Sequence, residues 1–158
     1  MRNVLFVCTG NTCRSPMAEA WLKVLCARDG LDWTVRSAGL DAYAGDEASI
    51  QAQTVIRAAG GDLSRHAARR FTAYLAAEAD LILAMTGSHL QRIRALVPEA
   101  AGKSFLLMHF SKIRPDSDVP DPFGSSAETY GQCFSVMREA IENLKNSLVE
   151  DNNQPNKG

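Results

Sequence analysis

Residues 4–19 read VLFVCTGNTCRSPMAE, and this stretch decides the fold that we predict for the whole chain. Val4 to Val7 form a short apolar run rich in β-branched residues, which is typical of a central parallel strand buried on both faces. Ser15 and Pro16 suit the N-cap and the first position of a helix, and apolar residues follow them at helical spacing. The stretch therefore predicts a buried strand, a tight polar loop and a helix start.

The rest of the chain repeats this alternation of strand and helix. Three more strand-like runs follow, at 31–35 (continuing to Ser37-Ala38-Gly39), 80–85 and 103–107, and the helical patterns are at 48–59, 72–79, 86–96 and 125–149. Strands that alternate with helices predict an α/β fold with a parallel sheet. We see no linker and no repeat, so we expect one domain over residues 1–150 and a polar, disordered tail over residues 151–158.

Composition excludes several classes of function. The formal net charge of -1 gives no general attraction to nucleic acid. No apolar run approaches the roughly 18 residues of a membrane helix, and Met1 leads into the first strand without the pattern of a signal peptide. The four cysteines, Cys8, Cys13, Cys26 and Cys133, do not suggest a disulfide scaffold. We therefore expect a cytoplasmic protein that acts as a monomer, away from membranes.

The loop between the first strand and the first helix has the chemistry of a phosphate cradle with a nucleophile at its base. Backbone N–H groups and the helix dipole meet at a helix N-terminus, where they favour anions. Arg14 adds a planar fork for two phosphate oxygens, and Gly10 and Asn11 tolerate left-handed backbone. The same field favours a thiolate at Cys8, to which Ser15 can hydrogen-bond. Cys8 is thus predicted to attack phosphorus and form a phosphocysteine.

A leaving group must be protonated when phosphorus is attacked, so a carboxylic acid should face the loop. Residues 109–124 are rich in Pro, Asp, Ser and Gly and form a long loop at the carboxyl end of the fourth strand. This loop offers Asp116, Asp118 and Asp121. Pro122 restricts the backbone of Asp121, so we choose Asp121 as the general acid and then the general base, and interpret the other two as solvated charges.

The stretch from Cys8 to Pro16, together with Asp121-Pro122, resembles the low-molecular-weight protein tyrosine phosphatases. The resemblance runs from residue 4 to about residue 147. It implies three layers with a four-stranded parallel sheet flanked by helices. It also implies that Cys8 is the nucleophile, that Arg14 binds the phosphate and the transition state, and that Asp121 donates the proton. It implies neither a metal nor an organic cofactor.

The resemblance also extends to the rest of the loop. It implies a phosphate-binding role for Thr9, Gly10, Asn11, Thr12, Cys13 and Ser15. It further implies that Cys13 can form a reversible disulfide with the nucleophile, which would place the enzyme under redox control.

Thr12 is the position that bears on substrate. Many members of the family have a branched aliphatic residue there, and threonine supplies a hydroxyl that a guanidinium group could use as an acceptor. In this respect the chain is similar to the protein arginine phosphatase branch, although Thr12 can also be read as a neutral substitution, since such changes are often worth only about 1–3 kcal/mol. Phe123 is expected to wall the pocket, with Tyr43 as a second wall. The sequence is compatible with either phosphotyrosine or phosphoarginine as the residue hydrolysed on protein substrates.

Other interpretations of these residues exist. Cys8 could be a buried core cysteine, or Cys8 and Cys13 could bind a metal, but no second Cys or His pair has matching spacing. At the level of function, the alternatives are an arsenate reductase of the same fold and a non-catalytic phosphoprotein-binding module. The sequence gives no site role to its histidines: His66 is expected to bond local backbone, and His89 and His109 carry no signal. Cys26 and Cys133 are expected in the core.

Overall fold

The computed structural model describes residues 2–154. Its strands are β1 (Arg2–Cys8), β2 (Trp33–Gly39), β3 (Leu81–Ala84) and β4 (Ser104–Leu106), and its helices are α1 (Arg14–Asp29), α2 (Ile50–Ala58), α3 (Ala73–Glu78), α4 (Gly87–Leu96) and α5 (Ala127–Asn153), with short 3-10 helices at Pro98–Lys103 and Leu107–Phe110. The predicted alternation of strands and helices is confirmed.

The four strands form one parallel sheet in the order β2-β1-β3-β4. The first strand pairs on both sides, with Val4 opposite Val35 of β2 and Leu81 of β3. A central strand of this kind has no face or edge in water, which explains its unbroken apolar run. The α/β prediction and the number of strands are both correct.

Helices cover both faces of the sheet, and the side chains of β1 alternate between two cores. Val4, Phe6 and Cys8 belong to the larger core, which is built with residues of α1, α2 and α5. Leu5 and Val7 point to the other face and belong to the core formed with α3 and α4. The period of two residues in a strand therefore divides this run between two layers, as the three-layer prediction requires.

The helix boundaries follow their capping residues. The side-chain oxygens of Thr72, Thr86 and Ser126 accept backbone N–H bonds from the first turns of α3, α4 and α5. The second strand begins at Trp33 rather than Leu31, and α5 continues to Asn153 rather than ending at Val149. The first residues of the predicted tail are thus helical, and residues 155–158 lie outside the described part of the chain.

The two cysteines that have no predicted site role lie in the larger core, as predicted. Cys26 and Cys133 are both buried there. Burial raises the pKa of Cys26 to about 11 and that of Cys133 to about 12. Both therefore stay protonated thiols at neutral pH, with little reactivity. Across residues 2–154, none of the helices is both long enough and apolar enough to cross a membrane.

The loops that follow the strands converge at one end of the sheet. The backbone N–H of Leu40 donates to the carbonyl of Cys8 at 2.9 Å, which joins the loops after β1 and β2. The N–H of Val119 donates to the carbonyl of Met85 at 2.8 Å, which joins the long loop before α5 to the end of β3. Ligands of parallel α/β sheets bind at this carboxyl end.

Candidate active site

Asn11 organises residues 8–15, which we call the phosphate loop. It has a left-handed backbone, with φ of 56°, and is fully buried. Its side-chain amide donates to the hydroxyls of Ser15 at 2.8 Å and Ser37 at 2.9 Å, and its carbonyl accepts the backbone N–H of Arg69 at 3.0 Å. One side chain thus ties the loop to α1, to β2 and to the segment before α3.

The prediction that Ser15 is the N-cap of α1 is wrong. The helix begins at Arg14, with Cys13 as its N-cap and no side-chain cap bond. The Ser15 hydroxyl lies 2.8 Å from Cys8 Sγ and accepts from Asn11. Because this hydroxyl faces the thiol inside the loop, it is not available to cap the backbone of the helix.

Two residues outside the phosphate loop fix its backbone. A Cβ on Gly39 would lie 2.4 Å from the carbonyl oxygen of Thr9 and 2.9 Å from the backbone nitrogen of Asn11, so only glycine fits at the end of β2. His66 Nε2 lies 2.8 Å from the backbone oxygen of Asn11. His66 therefore bonds the phosphate loop rather than local backbone, contrary to expectation.

The Arg14 side chain is buried, and residues of the long loop before α5 hold its guanidinium. Its Nη1 donates to the carbonyl of Val119 at 3.1 Å, and its Nη2 lies 3.6 Å from Oδ2 of Asp121. The guanidinium thus joins the phosphate loop to residues 119–124, which we call the acid loop. Cys8, Arg14 and Asp121 line the same cavity, although Asp121 is more than 100 residues distant along the chain.

Asp121 is the aspartate of its loop that lines the cavity with Cys8 and Arg14. Its side chain is 56% exposed, and its Oδ1 accepts the backbone N–H of Phe123 at 3.1 Å. Asp116 instead pairs with His109 at 3.0 Å, and Asp118 accepts the backbone N–H at the start of α4 at 2.8 Å. These two acids therefore have structural partners of their own.

The cavity between the two loops has a volume of about 410 Å³. Its lining comes from the phosphate loop, the loop after β2 and the acid loop: Cys8, Thr9, Gly10, Thr12, Cys13, Arg14, Asp41, Tyr43, Asp46, Asp121 and Phe123. Tyr43 is 79% exposed and Phe123 is 76% exposed. Aromatic rings this exposed beside a cavity are available to pack against a substrate.

Acidic groups lie at the mouth of the cavity. Asp41 receives two bonds from the guanidinium of Arg92, at 2.8 and 2.9 Å, which lower the pKa of its carboxyl below the usual value. Asp46 and Asp121 also line the cavity. Within residues 2–154, no group of three or more His, Cys, Asp or Glu side chains is arranged to hold a metal ion.

The second cysteine of the phosphate loop is held by hydroxyl groups. Cys13 Sγ lies 3.0 Å from Tyr130 Oη, 3.5 Å from Thr12 Oγ1 and 3.9 Å from Ser49 Oγ. Burial, followed by the bond to Cys13, raises the pKa of Tyr130 to about 12. The phenol therefore stays protonated and can donate to the sulfur. Cys8 and Cys13 are both free thiols.

Comparison with known proteins identifies the family. Residues 3–154 match the profile of the family described as "Low molecular weight phosphotyrosine protein phosphatase". The chain belongs to this family. The resemblance seen in the phosphate loop and in Asp121-Pro122 is thereby confirmed.

The names of related proteins describe two kinds of substrate residue, arginine and tyrosine. The chain is 38% identical to the protein-arginine-phosphatase of Bacillus subtilis (strain 168), with 94% of this chain and 98% of the relative covered. It is 34% identical to the low molecular weight protein-tyrosine-phosphatase Wzb of Salmonella typhimurium, with 96% of this chain and 97% of the relative covered. Among solved structures, it is 38% identical to the YwlE arginine phosphatase, in a cysteine-to-serine mutant with a phosphorylated active-site serine. The TM-score is 0.88, covering 94% of this chain and 97% of that one.

Sequence reasoning did not find several residues of the site. Asp41 and Asp46 line the cavity, His66 supports Asn11, and His89 Nε2 lies 2.8 Å from Thr9 Oγ1. His89 and Asp41 follow the carboxyl ends of β3 and β2, where side chains converge on a parallel sheet. Position relative to a strand end was therefore the signal that could have singled out these two.

Proposed function

We propose that the chain is a protein phosphatase that uses Cys8 as its nucleophile. The observation that carries this proposal is the meeting of Cys8, Arg14 and Asp121 around one cavity, with Arg14 and Asp121 3.6 Å apart. A thiol, a planar cation and a carboxyl group are the set that phosphoryl transfer through a cysteine requires. We assign the whole activity to a single domain, working in the cytoplasm as a monomer on phosphorylated proteins.

In the first step, the Cys8 thiolate attacks phosphorus and forms a phosphocysteine. The Ser15 hydroxyl, 2.8 Å from Cys8 Sγ, can donate to the thiolate, and it is itself held by Asn11. The N-terminus of α1 and the Arg14 guanidinium stabilise the negative charge on the phosphoryl oxygens. The phosphorylated active-site serine of the related arginine phosphatase mutant supports an intermediate on the residue at this position.

Asp121 transfers a proton in both steps. As a carboxylic acid it protonates the leaving nitrogen or oxygen when the bond from that atom to phosphorus breaks in the first step. In the second step, as a carboxylate, it takes a proton from the water that attacks the phosphocysteine, and inorganic phosphate and the Cys8 thiolate are released. Its exposed position at the mouth of the cavity gives that water access.

We propose phosphoarginine as the preferred substrate residue. Thr12 places a hydroxyl in the lining, and Asp46 adds an acidic side chain to the same lining, which suits a guanidinium group. A relative that is 38% identical is an arginine phosphatase by name. Phosphotyrosine is the second candidate, because the exposed rings of Tyr43 and Phe123 can flank a phenyl ring.

Three variants of Thr12 test which phosphorylated residue the protein prefers. We expect Thr12→Val, which removes the hydroxyl, to lower kcat/KM for phosphoarginine peptides by about 10-fold or more, because one pocket group is typically worth about 1–3 kcal/mol. Thr12→Ser keeps the hydroxyl and serves as the matched control. Thr12→Ile should shift the preference further toward phosphotyrosine. If wild type prefers phosphotyrosine and none of the three variants changes the ratio, the arginine proposal is wrong.

We also propose that the site is under redox control. Peroxide would oxidise the Cys8 thiolate to a sulfenic acid, and the Cys13 thiol would then displace water to form a disulfide. Both cysteines lie in the same loop and line the same cavity. Peroxide should therefore inactivate wild type in a way that a dithiol reverses. In Cys13→Ala the sulfenic acid has no thiol partner, so excess peroxide should oxidise Cys8 further to a sulfinic acid, which a dithiol does not reduce. Full recovery of that variant after excess peroxide would refute the disulfide.

A further inference from the structure

His89 links helix α4 to the phosphate loop. It lies near the start of α4, is 6% exposed, and places Nε2 2.8 Å from the hydroxyl oxygen of Thr9. Thr9 follows the nucleophile directly, is exposed, and lines the cavity with Cys8. A buried imidazole thus contacts an exposed hydroxyl next to Cys8. Thr9 belongs to the predicted phosphate-binding loop, but none of the steps described above gives a role to its hydroxyl or to the imidazole.

The surroundings of His89 determine which ring nitrogen carries the proton. Burial, followed by the charges of Arg14 and Arg92, lowers the pKa of His89 to about 4, against the opposing effect of Asp121 and Asp118. The ring is therefore neutral at pH 7, with one N–H donor and one acceptor nitrogen.

The second ring nitrogen is buried, and no hydrogen-bond partner for it exists among residues 2–154. If the proton were on Nδ1 of His89, a buried N–H would be left without an acceptor. An orphaned buried N–H is rarer in proteins than an acceptor that is not satisfied. The proton is therefore placed on Nε2, which donates to Thr9 Oγ1.

This direction of donation decides what the Thr9 hydroxyl can do. Because its oxygen accepts from His89, its own proton must point elsewhere, and the exposed side chain opens onto the cavity. On the basis of the proposed phosphatase function, we propose that the Thr9 hydroxyl donates a hydrogen bond to an oxygen of the bound phosphoryl group and that His89 is the residue that positions it. Thr9 is then a substrate-binding residue, with His89 acting through it.

Paired variants separate this role from simple packing. Thr9→Val removes the hydroxyl at nearly constant shape, and Thr9→Ser keeps it. In His89→Gln the side-chain amide can place a donor near the position of Nε2, whereas the shorter His89→Asn cannot reach it. We expect Thr9→Val and His89→Asn each to weaken binding of inorganic phosphate and to lower kcat/KM by about 10-fold. Thr9→Ser and His89→Gln should stay within about 3-fold of wild type.

The double variant Thr9→Val/His89→Asn gives the decisive comparison. If His89 acts through Thr9, the double variant is no weaker than Thr9→Val alone. If the two losses multiply, or if Thr9→Val binds phosphate like wild type, the proposal is overturned. Melting temperatures of all variants show that each is folded. Phosphate binding by calorimetry tests Thr9 even if no phosphopeptide is hydrolysed, so a failure of the proposed function stays distinguishable.

A spectroscopic measurement tests the direction of the hydrogen bond directly. Long-range proton–nitrogen correlation spectra of the ¹⁵N-labelled protein at pH 7 distinguish the two neutral forms of a histidine ring. We expect His89 to carry its proton on Nε2, in wild type and in Thr9→Ser. A ring protonated on Nδ1 would reverse the donor and acceptor at Thr9 and overturn the proposal.

Discussion

The phosphate loop and the acid loop meet at one cavity, but the protein holds them very differently. Asn11 and Ser15 of the phosphate loop are fully buried, and each is bonded on more than one side. On the acid loop, Asp121 exposes 56% of its side chain and Phe123 is 76% exposed. Arg14 is the buried side chain that connects the two loops.

Under the proposed function, this difference separates two tasks of the site. Charge stabilisation in a transition state works best when donors are already in place, because they then need no reorganisation during the reaction. The buried bonds of Asn11 supply that order. A general acid must exchange protons with water, so exposure suits Asp121. An aromatic side chain at the edge of the pocket must contact peptides of different sequence, so exposure also suits Phe123. Variants in the phosphate loop should therefore have larger effects than variants in the acid loop.

The largest effect is expected for Arg14→Lys. Lysine keeps the charge but lacks the planar fork that can bind two phosphoryl oxygens and also donate to Val119. We expect kcat/KM to fall by about 10³-fold, the upper range for loss of one preorganised donor. The matched control is Arg138→Lys, at a surface ion pair on α5, which should leave kcat/KM unchanged. An Arg14→Lys enzyme within 10-fold of wild type would contradict a rigid phosphate loop.

Asp121→Asn is expected to have the next largest effect. Loss of the general acid should lower kcat by about 10²-fold for an alkyl or peptide substrate. The effect should shrink for an aryl phosphate whose leaving group needs no protonation. Asp116→Asn, in the same loop region but paired with His109, is the control. Equal losses for both kinds of leaving group would show that Asp121 is not the proton donor.

His89 gives a pH-dependent effect on stability. Its pKa is lowered in the folded state, so the native protein binds fewer protons than the unfolded chain between about pH 6.5 and 4. The stabilisation is thus complete above pH 6.5 and is lost as the pH falls toward 4. Arg14 and Arg92 strengthen the effect, and Asp121 and Asp118 oppose it.

This contribution is measured with His89→Gln, which cannot titrate. Between pH 7 and pH 4.5, wild type should lose about 2 kcal/mol more unfolding free energy than the variant. Urea unfolding at the two pH values gives the comparison. Parallel pH dependence in the two proteins would show that the imidazole beside Thr9 is already solvated.

The smallest effect is expected for Phe123→Ala. Its ring is exposed, so removal should leave the folding free energy nearly unchanged. We expect KM for phosphopeptides to rise several-fold and kcat to stay constant, because a wall contributes to binding in both the ground and transition states. A fall in kcat with no change in KM would instead show that Phe123 acts by positioning Asp121 rather than by binding the peptide.

Much of this molecule could be predicted from local sequence, and the exceptions have a common cause. The apolar run of β1, the helical patterns that begin at Thr72 and Thr86 and the loop from Cys8 to Arg14 depend on neighbours in the chain, so the sequence could predict them. Asp121 was chosen because the predicted chemistry required an acid and proline followed it, and the structure places it in the lining of the cavity.

The roles of other residues depend on contacts between distant segments. His66 and His89 contact the phosphate loop across 55 and 80 residues, and no local pattern encodes such bonds. Serine is a residue type that favours the N-cap position, yet the hydroxyl of Ser15 is hydrogen-bonded to Asn11 and Cys8. In that case tertiary contacts overrode a correct local preference.

The central claim is that Cys8 carries the phosphoryl group during turnover. Rapid acid quench of the enzyme with a phosphopeptide, followed by intact-mass and peptide mapping, tests it most directly. We predict an adduct of one phosphoryl group on the peptide that contains Cys8. It should accumulate further in Asp121→Asn with an aryl phosphate, since hydrolysis is then slowed, and be absent in Cys8→Ala. Steady turnover with no adduct on Cys8, or an adduct that persists in Cys8→Ala, would contradict the account.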